Sequence, residues 1–135
     1  MATNTAGTSA RLAPFQVTHF LRRDVAYNTA HIGEASAVNM GIIPAGSLVL
    51  RSHVAVTTAF NAVTTNVLIV GTASDDDYFV DADDVDESAI AVTSGIQTGV
   101  GVLASDTAVY VKYTQTGTAA TAGAATIVIE YIPNI

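Results

Sequence analysis

The segment SLVLRSHVAVTTAF, residues 47–60, alternates between apolar and polar side chains and decides the fold class. An apolar set is predicted to share one face: Leu48, Leu50, Val54, Val56 and Phe60. A polar set falls on the opposite face: Ser47, Arg51, His53 and Thr57. A period of two with β-branched residues is typical of a strand with one buried face. A strand of this length usually bends or bulges near its middle.

Working outward from this strand, further segments carry strand patterns and none carries a convincing amphipathic helix. The candidate strands are residues 15–21, 36–42, 66–72, 88–93, 107–114 and 126–132. The last two resemble a terminal hairpin, in which Lys112 would face Glu130. The best helical candidate, residues 83–91, is long enough for only a turn or two. Seven or eight short strands without a βαβ rhythm predict an all-β, antiparallel, jelly-roll-like β-sandwich.

The composition fits one small domain with an arm. The chain has 135 residues, of which 50% are apolar and 13% are charged, against about 25% charged in ordinary soluble proteins. We expect a flexible N-terminal arm over residues 1–13 and a single sandwich domain over residues 14–135. The first residues lack the basic and apolar regions of a secretory signal.

Charge and cysteine content exclude several classes of partner and chemistry. The net charge of −7, with five basic residues against twelve acidic ones, argues against a nucleic-acid-binding surface. No apolar run approaches the roughly 18–20 residues of a membrane-spanning helix, so no membrane partner is expected. The chain has no cysteine, which excludes disulfides and thiolate chemistry.

The acidic stretch SDDDYFVDADDVDES, residues 74–88, holds eight of the twelve acidic residues. Neither Asp75 nor Asp81 as a first ligand gives the spacing of an EF-hand. We therefore expect a solvated loop and no bound metal, with Tyr78 or Phe79 anchoring it to the core. If an irregular loop does hold calcium, the candidate ligands are Asp81, Asp83 and Asp86.

Motifs for catalysis are missing from the sequence. The three histidines, His19, His31 and His53, form no local metal-binding pair, although a cluster in space stays open. Serine nucleophile elbows, dinucleotide fingerprints and a cleft-forming pair of carboxylates are likewise not signalled. The sequence predicts a protein that is not an enzyme and that has no cofactor.

From Met40 to Pro133 the order of several motifs resembles a family of tailed-bacteriophage capsid decoration proteins, also called head cement or stabilising proteins. The motifs are IPAGSLVL at 43–50, the run from VTTAF through IVGTASDDDYFV at 56–80, and GTAATAGAATIVIEYIP at 117–133. The resemblance covers about 70% of the chain, is weaker over the first forty residues, and rests on structural motifs without chemistry.

The resemblance implies a noncatalytic virion protein on the capsid exterior, assembled in the host cytoplasm. Its partners would be the major capsid protein and further copies of itself, as a homodimer or homotrimer. Arg11, Arg22 and Arg23 are candidates for contacts with an acidic shell, and the alternative for each is a solvated arginine. Two other functions stay open: a phage tail- or fibre-associated β domain, and a calcium- or carbohydrate-binding β module.

Overall fold

The computed structural model describes residues 17–29 and 37–133, and this part of the chain contains eight β-strands and no helix. The strands are β1 (His19–Ala26), β2 (Val38–Ile43), β3 (Leu48–Thr58), β4 (Thr65–Gly71), β5 (Ala91–Ile96), β6 (Gly101–Val102), β7 (Thr107–Thr116) and β8 (Ala124–Ile132). All their pairings are antiparallel, which confirms the predicted all-β class. Across the described ranges, no helix has the length and apolar character to cross a membrane.

The strands form two sheets that sandwich one apolar core. The larger sheet has the order β1-β8-β3-β5, with β6 also paired to β3, and the smaller sheet has the order β2-β7-β4. In a jelly roll, the first strand lies beside the last, and the second beside the next to last, on opposite sheets. Both relations hold here, so the predicted jelly-roll-like sandwich is confirmed.

Strand β1 pairs with β8 of the same chain along its full length, from His19 opposite Tyr131 to Ala26 opposite Ala124. The sequence placed this strand at residues 15–21, several residues too early. Its burial explains the error, because Val25 is its only fully buried residue and the apolar alternation of an edge strand is correspondingly weak. The predicted arm, residues 1–13, lies outside the described residues, so its flexibility stays a prediction.

Strand β3 contains the expected bulge, and the bulge changes which residues reach the core. The register with β8 shifts between Val49 and Arg51, which leaves Leu50 as an extra residue. Ser47 and Val49 therefore point inward before the bulge, and Ser52, Val54 and Val56 point inward after it. The predictions for Val54, Val56 and Phe60 are confirmed, whereas those that buried Leu48 and Leu50 and exposed Ser47 were wrong.

The predicted terminal hairpin is also wrong, because β7 and β8 belong to opposite sheets. The connection between them, residues 117–123, crosses from one layer to the other. Consecutive strands that face each other across a core alternate in the same way as consecutive strands that pair. Lys112 consequently lies 3.2 Å from Asp76, and Glu130 contacts Arg51 and His53.

The core lies between the two inner sheet faces and ends in an aromatic pair. Phe60 and Tyr113 are both buried, with ring centroids 4.6 Å apart. A Cβ atom built on Gly123 would lie 2.6 Å from Cγ of the Phe60 ring, so only glycine fits at this crossing. The sandwich is thus closed at this end by aromatic packing against bare backbone.

Candidate functional site

The acidic stretch lies along the open edge of β4 and satisfies its outward-facing amide groups. Leu68 N–H donates to Glu87 Oε1 at 2.6 Å, and Val70 N–H donates to the Val80 carbonyl at 3.1 Å. Thr72 N–H, just past the strand, donates to the Asp75 carbonyl at 2.7 Å. An exposed sheet edge invites pairing with another chain, and this covering prevents it. The stretch occupies the place of a fourth strand of the smaller sheet, but its strand pairing with β4 consists of the single bridge between Val70 and Val80.

Apolar side chains within the stretch fix it to the core. Phe79 and Val80 are fully buried and Val85 is nearly so. Tyr78 stays exposed and packs edge-on against Phe79, with centroids 5.0 Å apart. The prediction that one aromatic residue anchors this loop is therefore confirmed, and Phe79 is that residue.

Glu87 is the one buried acidic residue in the described ranges, and sequence reasoning missed it. Its side chain accepts the Leu68 hydrogen bond, and its own carbonyl accepts from Phe60 N–H at 2.8 Å. Burial raises the pKa of Glu87, and the Leu68 hydrogen bond only partly opposes this. Glu87 is the last charged residue before the uncharged run that begins at Ser88. Nothing in the local sequence signals its burial, because the other acidic residues of the stretch are not buried.

The three candidate calcium ligands take part in local hydrogen bonds, each between residues two or three apart in sequence. Asp86 Oδ1 accepts from Ser88 N–H and Ser88 Oγ–H, which lowers the pKa of Asp86. Asp81 Oδ1 accepts from Asp83 N–H at 3.4 Å. These are turn-stabilising interactions of the kind that aspartate favours. The absence of a bound metal, like the candidacy of these residues, stays a prediction.

A different acidic group comes together at the start of the stretch. Within the described residues, Asp75, Asp76 and Asp77 place carboxylate oxygens within 4.8 Å of one another. A hydrogen bond with Asp75, together with burial and the neighbouring charges, raises the pKa of Asp77. Lys112 lies 3.2 Å from Asp76 and offsets part of this negative charge. Exposed carboxylates crowded in this way remain in water unless a cation arrives.

The outer face of the larger sheet carries a charged cluster centred on Glu130. This carboxylate accepts hydrogen bonds from Arg51 and from His53, the latter at 2.9 Å. Those bonds, with the Arg51 charge, lower the pKa of Glu130. The second ring nitrogen of His53 accepts from Gly95 N–H at 3.0 Å, so one side chain joins β8 to β5.

Two of the three candidate contact arginines, Arg22 and Arg23, lie on the exposed edge strand β1. Arg22 pairs with Asp24 at 3.2 Å, and Asp24 also accepts from Thr126 Oγ1 at 2.7 Å. The Thr126 hydrogen bond, followed by those from Arg22, lowers the pKa of Asp24. Arg23 is exposed on the same strand, whereas Arg11 lies outside the described residues. A capsid-contact role for these arginines stays a prediction.

Strands β5 and β6 form the other edge of the larger sheet, and these strands and the residues just before them expose apolar side chains without any charge. We call this the apolar edge and define it by four exposed residues: Ile90, Val92, Val100 and Val102. The sequence has no charged residue from Ser88 through Ser105. Val92 lies opposite Ala55 and points away from the core, since Val54 and Val56 point into it. Val92 is therefore an exposed apolar side chain on the outward face of an edge strand.

The fold is shared with solved capsid structures of three bacteriophages. A chain of the cyanophage Pam1 capsid asymmetric unit matches with a TM-score of 0.66 at 23% identity, covering 86% of this chain and 84% of that one. A chain of the acidic stable capsid of Helicobacter pylori bacteriophage KHP30 matches with a TM-score of 0.60 at 16% identity, covering 88% and 90%. A chain of the Ralstonia phage GP4 capsid matches with a TM-score of 0.59 at 17% identity, covering 88% and 86%.

The protein has the fold of these capsid chains. The similarity runs through nearly the whole length of both partners in each comparison. No protein-family model matches the sequence, and no curated protein matches it. The shared property is thus a sandwich architecture at low sequence identity.

The buried Glu87 gives a testable dependence of stability on pH. A pKa raised in the folded state means that the native protein binds this proton more tightly than the unfolded chain does. The stabilisation from protonation is complete below the unfolded pKa of about 4.5 and is lost as the pH rises through the folded pKa. We expect Glu87→Gln, which still accepts from Leu68 N–H, to be at least as stable as the parent at pH 7, measured by urea unfolding.

The matched control is Glu87→Leu, which has similar bulk but cannot accept a hydrogen bond. Leaving Leu68 N–H buried and unpaired costs about 1–3 kcal/mol. We therefore expect this variant to be less stable than both others at pH 7. A Glu87→Gln variant whose stability relative to the parent rises steadily in acid would contradict the assigned pKa direction.

Proposed function

We propose that this protein is a noncatalytic structural component of a bacteriophage virion, which binds the outer surface of the capsid and joins neighbouring capsomers. The observation that carries the proposal is the fold, which is shared with chains of three phage capsids over 84–90% of their length. Its partner would be the major capsid protein. Assembly would take place in the host cytoplasm, and the finished position would be the capsid exterior.

The apolar edge supports this role physically. Monomeric soluble proteins rarely expose large contiguous apolar patches, and such patches usually mark a contact with another macromolecule. Ile90, Val92, Val100 and Val102 offer apolar area that can be covered without removing any charge from water. We assign this edge to contact with the shell protein.

Many identical copies on a lattice would reinforce one another. A weak contact repeated on an icosahedral shell gains strength when a homodimer or homotrimer engages two or three sites together. We therefore include a small homo-oligomer in the proposal. The candidate arginines Arg22 and Arg23, on the opposite edge of the larger sheet, would supply secondary contacts.

The test is co-sedimentation of the purified protein with mature heads of the source phage, stripped of accessory proteins. Saturable binding at a fixed ratio to the shell protein is the expected result, and the ratio gives the copy number. Folded protein that stays in the supernatant at every concentration would overturn the proposal. Binding to isolated tails in place of heads would favour the tail-associated alternative.

A pair of matched variants localises the contact. Val92 and Val63 are valines of equal exposure, 70% and 72%, and Val63 lies in the loop between β3 and β4. We expect Val92→Asp to lose at least about tenfold in affinity for heads, since a charge buried without a partner costs more than 1.4 kcal/mol. Val63→Asp should bind as the parent does. Equal binding by both variants would remove the apolar edge from the contact.

A further inference from the structure

His53 joins two strands through both nitrogens of its ring. Nε2 lies 2.9 Å from Glu130 Oε2 on β8, and Nδ1 lies 3.0 Å from the backbone nitrogen of Gly95 on β5. The ring is partly buried on the outer face of the larger sheet. This arrangement is independent of the proposed capsid role.

The partners of the ring determine where its proton resides. Gly95 N–H is a donor, so Nδ1 must act as an acceptor and carries no proton. The remaining proton of the neutral ring then lies on Nε2 and is donated to the Glu130 carboxylate. Neutral His53 thus satisfies both neighbours at once.

Gly95 needs this acceptor because it lies in a β-bulge. Ser52 pairs with Ile96 and Val54 with Thr93, so that two residues of β5, Ser94 and Gly95, oppose the single residue His53. Gly95 has a φ of +71°, in the left-handed region that glycine adopts without strain. A bulge leaves the extra residue unpaired in the backbone ladder, and here the imidazole takes up its amide.

We propose that His53 is a proton-operated latch that holds the β5 bulge when neutral and releases it when protonated. The imidazolium ion carries a proton on both nitrogens and has no acceptor left. Protonation therefore converts the Gly95 contact into two opposed donors, while the Glu130 contact persists as an ion pair. The strand that protonation releases is β5, the edge strand that bears Val92.

After protonation, the charges around the ring preserve its contact with Glu130, so the contact with Gly95 is the one that is lost. Glu130 faces His53 from β8, and Arg51, on β3 itself, shares the same carboxylate. On β1, two strands away, Arg22 and Asp24 pair with each other. Strand β5 has no charged residue at all. The ion pair with Glu130 therefore holds the protonated ring in place, and only the bulge is released.

The experiment is nitrogen-15 NMR of the full chain between pH 8 and pH 5, the range in which histidine usually changes charge. At pH 8 we expect His53 Nδ1 to give the shift of an unprotonated ring nitrogen and Nε2 that of a protonated one. On protonation, Gly95 should lose roughly tenfold in hydrogen-exchange protection, the factor for one ordinary hydrogen bond. The proposal would be overturned if Nδ1 were protonated at pH 8. It would also be overturned if hydrogen-exchange protection of Gly95 stayed constant while the ring changed its protonation state.

Two histidine variants separate the latch from general effects of acid. The Oδ1 atom of His53→Asn can accept from Gly95 N–H but does not titrate, so its Gly95 protection should not change over this range. His19→Asn removes an exposed histidine on β1 and should leave the parent profile intact. A pH response of Gly95 that persists in His53→Asn would contradict the latch, and the ring-nitrogen shifts of the parent test it even if that variant does not fold.

Discussion

Replacing Phe79 with alanine is expected to lower the free energy of unfolding by about 3–5 kcal/mol, the cost of removing a fully buried aromatic ring. Phe79 has no exposed surface and fixes the acidic stretch to the core beside β4. Its backbone amide also donates to the Val70 carbonyl at 2.8 Å. The loss of the ring therefore leaves a cavity and loosens the cover of a sheet edge. Urea unfolding, with the change read from the midpoint at constant slope, measures this effect.

The matched control is the same substitution at an exposed position. Phe20→Ala removes an identical ring from β1, where the residue is 58% exposed. A surface change of this kind usually alters stability by no more than about 0.5 kcal/mol. Equal destabilisation by Phe79→Ala and Phe20→Ala would show that the acidic stretch is not anchored by Phe79.

Replacing Gly71 with alanine is expected to cost about 3 kcal/mol, at the upper end of the range for overpacking. A Cβ atom there would lie 2.6 Å from the Asp76 carbonyl oxygen and closer still to the Asp75 carbonyl oxygen. Both are backbone atoms, which cannot rotate away as a side chain can. The turn at Thr72–Asp75 must therefore move outward, and the hydrogen bond from Thr72 N–H to the Asp75 carbonyl is lost.

Gly95→Ala provides the contrast that separates crowding from backbone strain. A Cβ atom on Gly95 meets nothing within 4 Å, but its φ of +71° places an alanine in the left-handed region. That strain costs about 1–2 kcal/mol. We expect Gly71→Ala to be the more damaging change and the only one that increases hydrogen exchange at Thr72 and Tyr78. A smaller cost for Gly71→Ala than for Gly95→Ala would contradict the close packing of the turn.

The acidic stretch shows which features of the site the sequence predicts and which it does not. Its composition correctly predicted a loop with an aromatic anchor, since aspartate favours turns and a large apolar residue seeks the core. That the loop covers β4 depends on Leu68 and Val70 finding acceptors 19 and ten residues away in sequence. Burial of Glu87 follows from the same long-range contact with Leu68, so the pattern of residues around Glu87 does not predict it.

The cluster around Glu130 was mispredicted for a related reason. Alternation in residues 107–114 and 126–132 correctly identified two strands but left open whether they pair or face each other. Because the two strands lie in opposite layers, the partners of Glu130 are Arg51 and His53, which are 79 and 77 residues distant in sequence. The apolar edge was hidden in the same way, since an exposed valine on an edge strand has the same sequence signature as a buried one.

By itself, the sequence determined the class, the antiparallel sandwich and most strand positions, because a period of two is a local property of the chain. The tertiary structure decided the sheet partners, the phase of β3 and the exposure of β5. The bulge at Leu50 shows the reason. One extra residue exchanges the two faces of a strand, and its position is set by the register with β8 across the sheet. Such a register is a balance of contacts between distant segments, and only the folded chain brings those segments together.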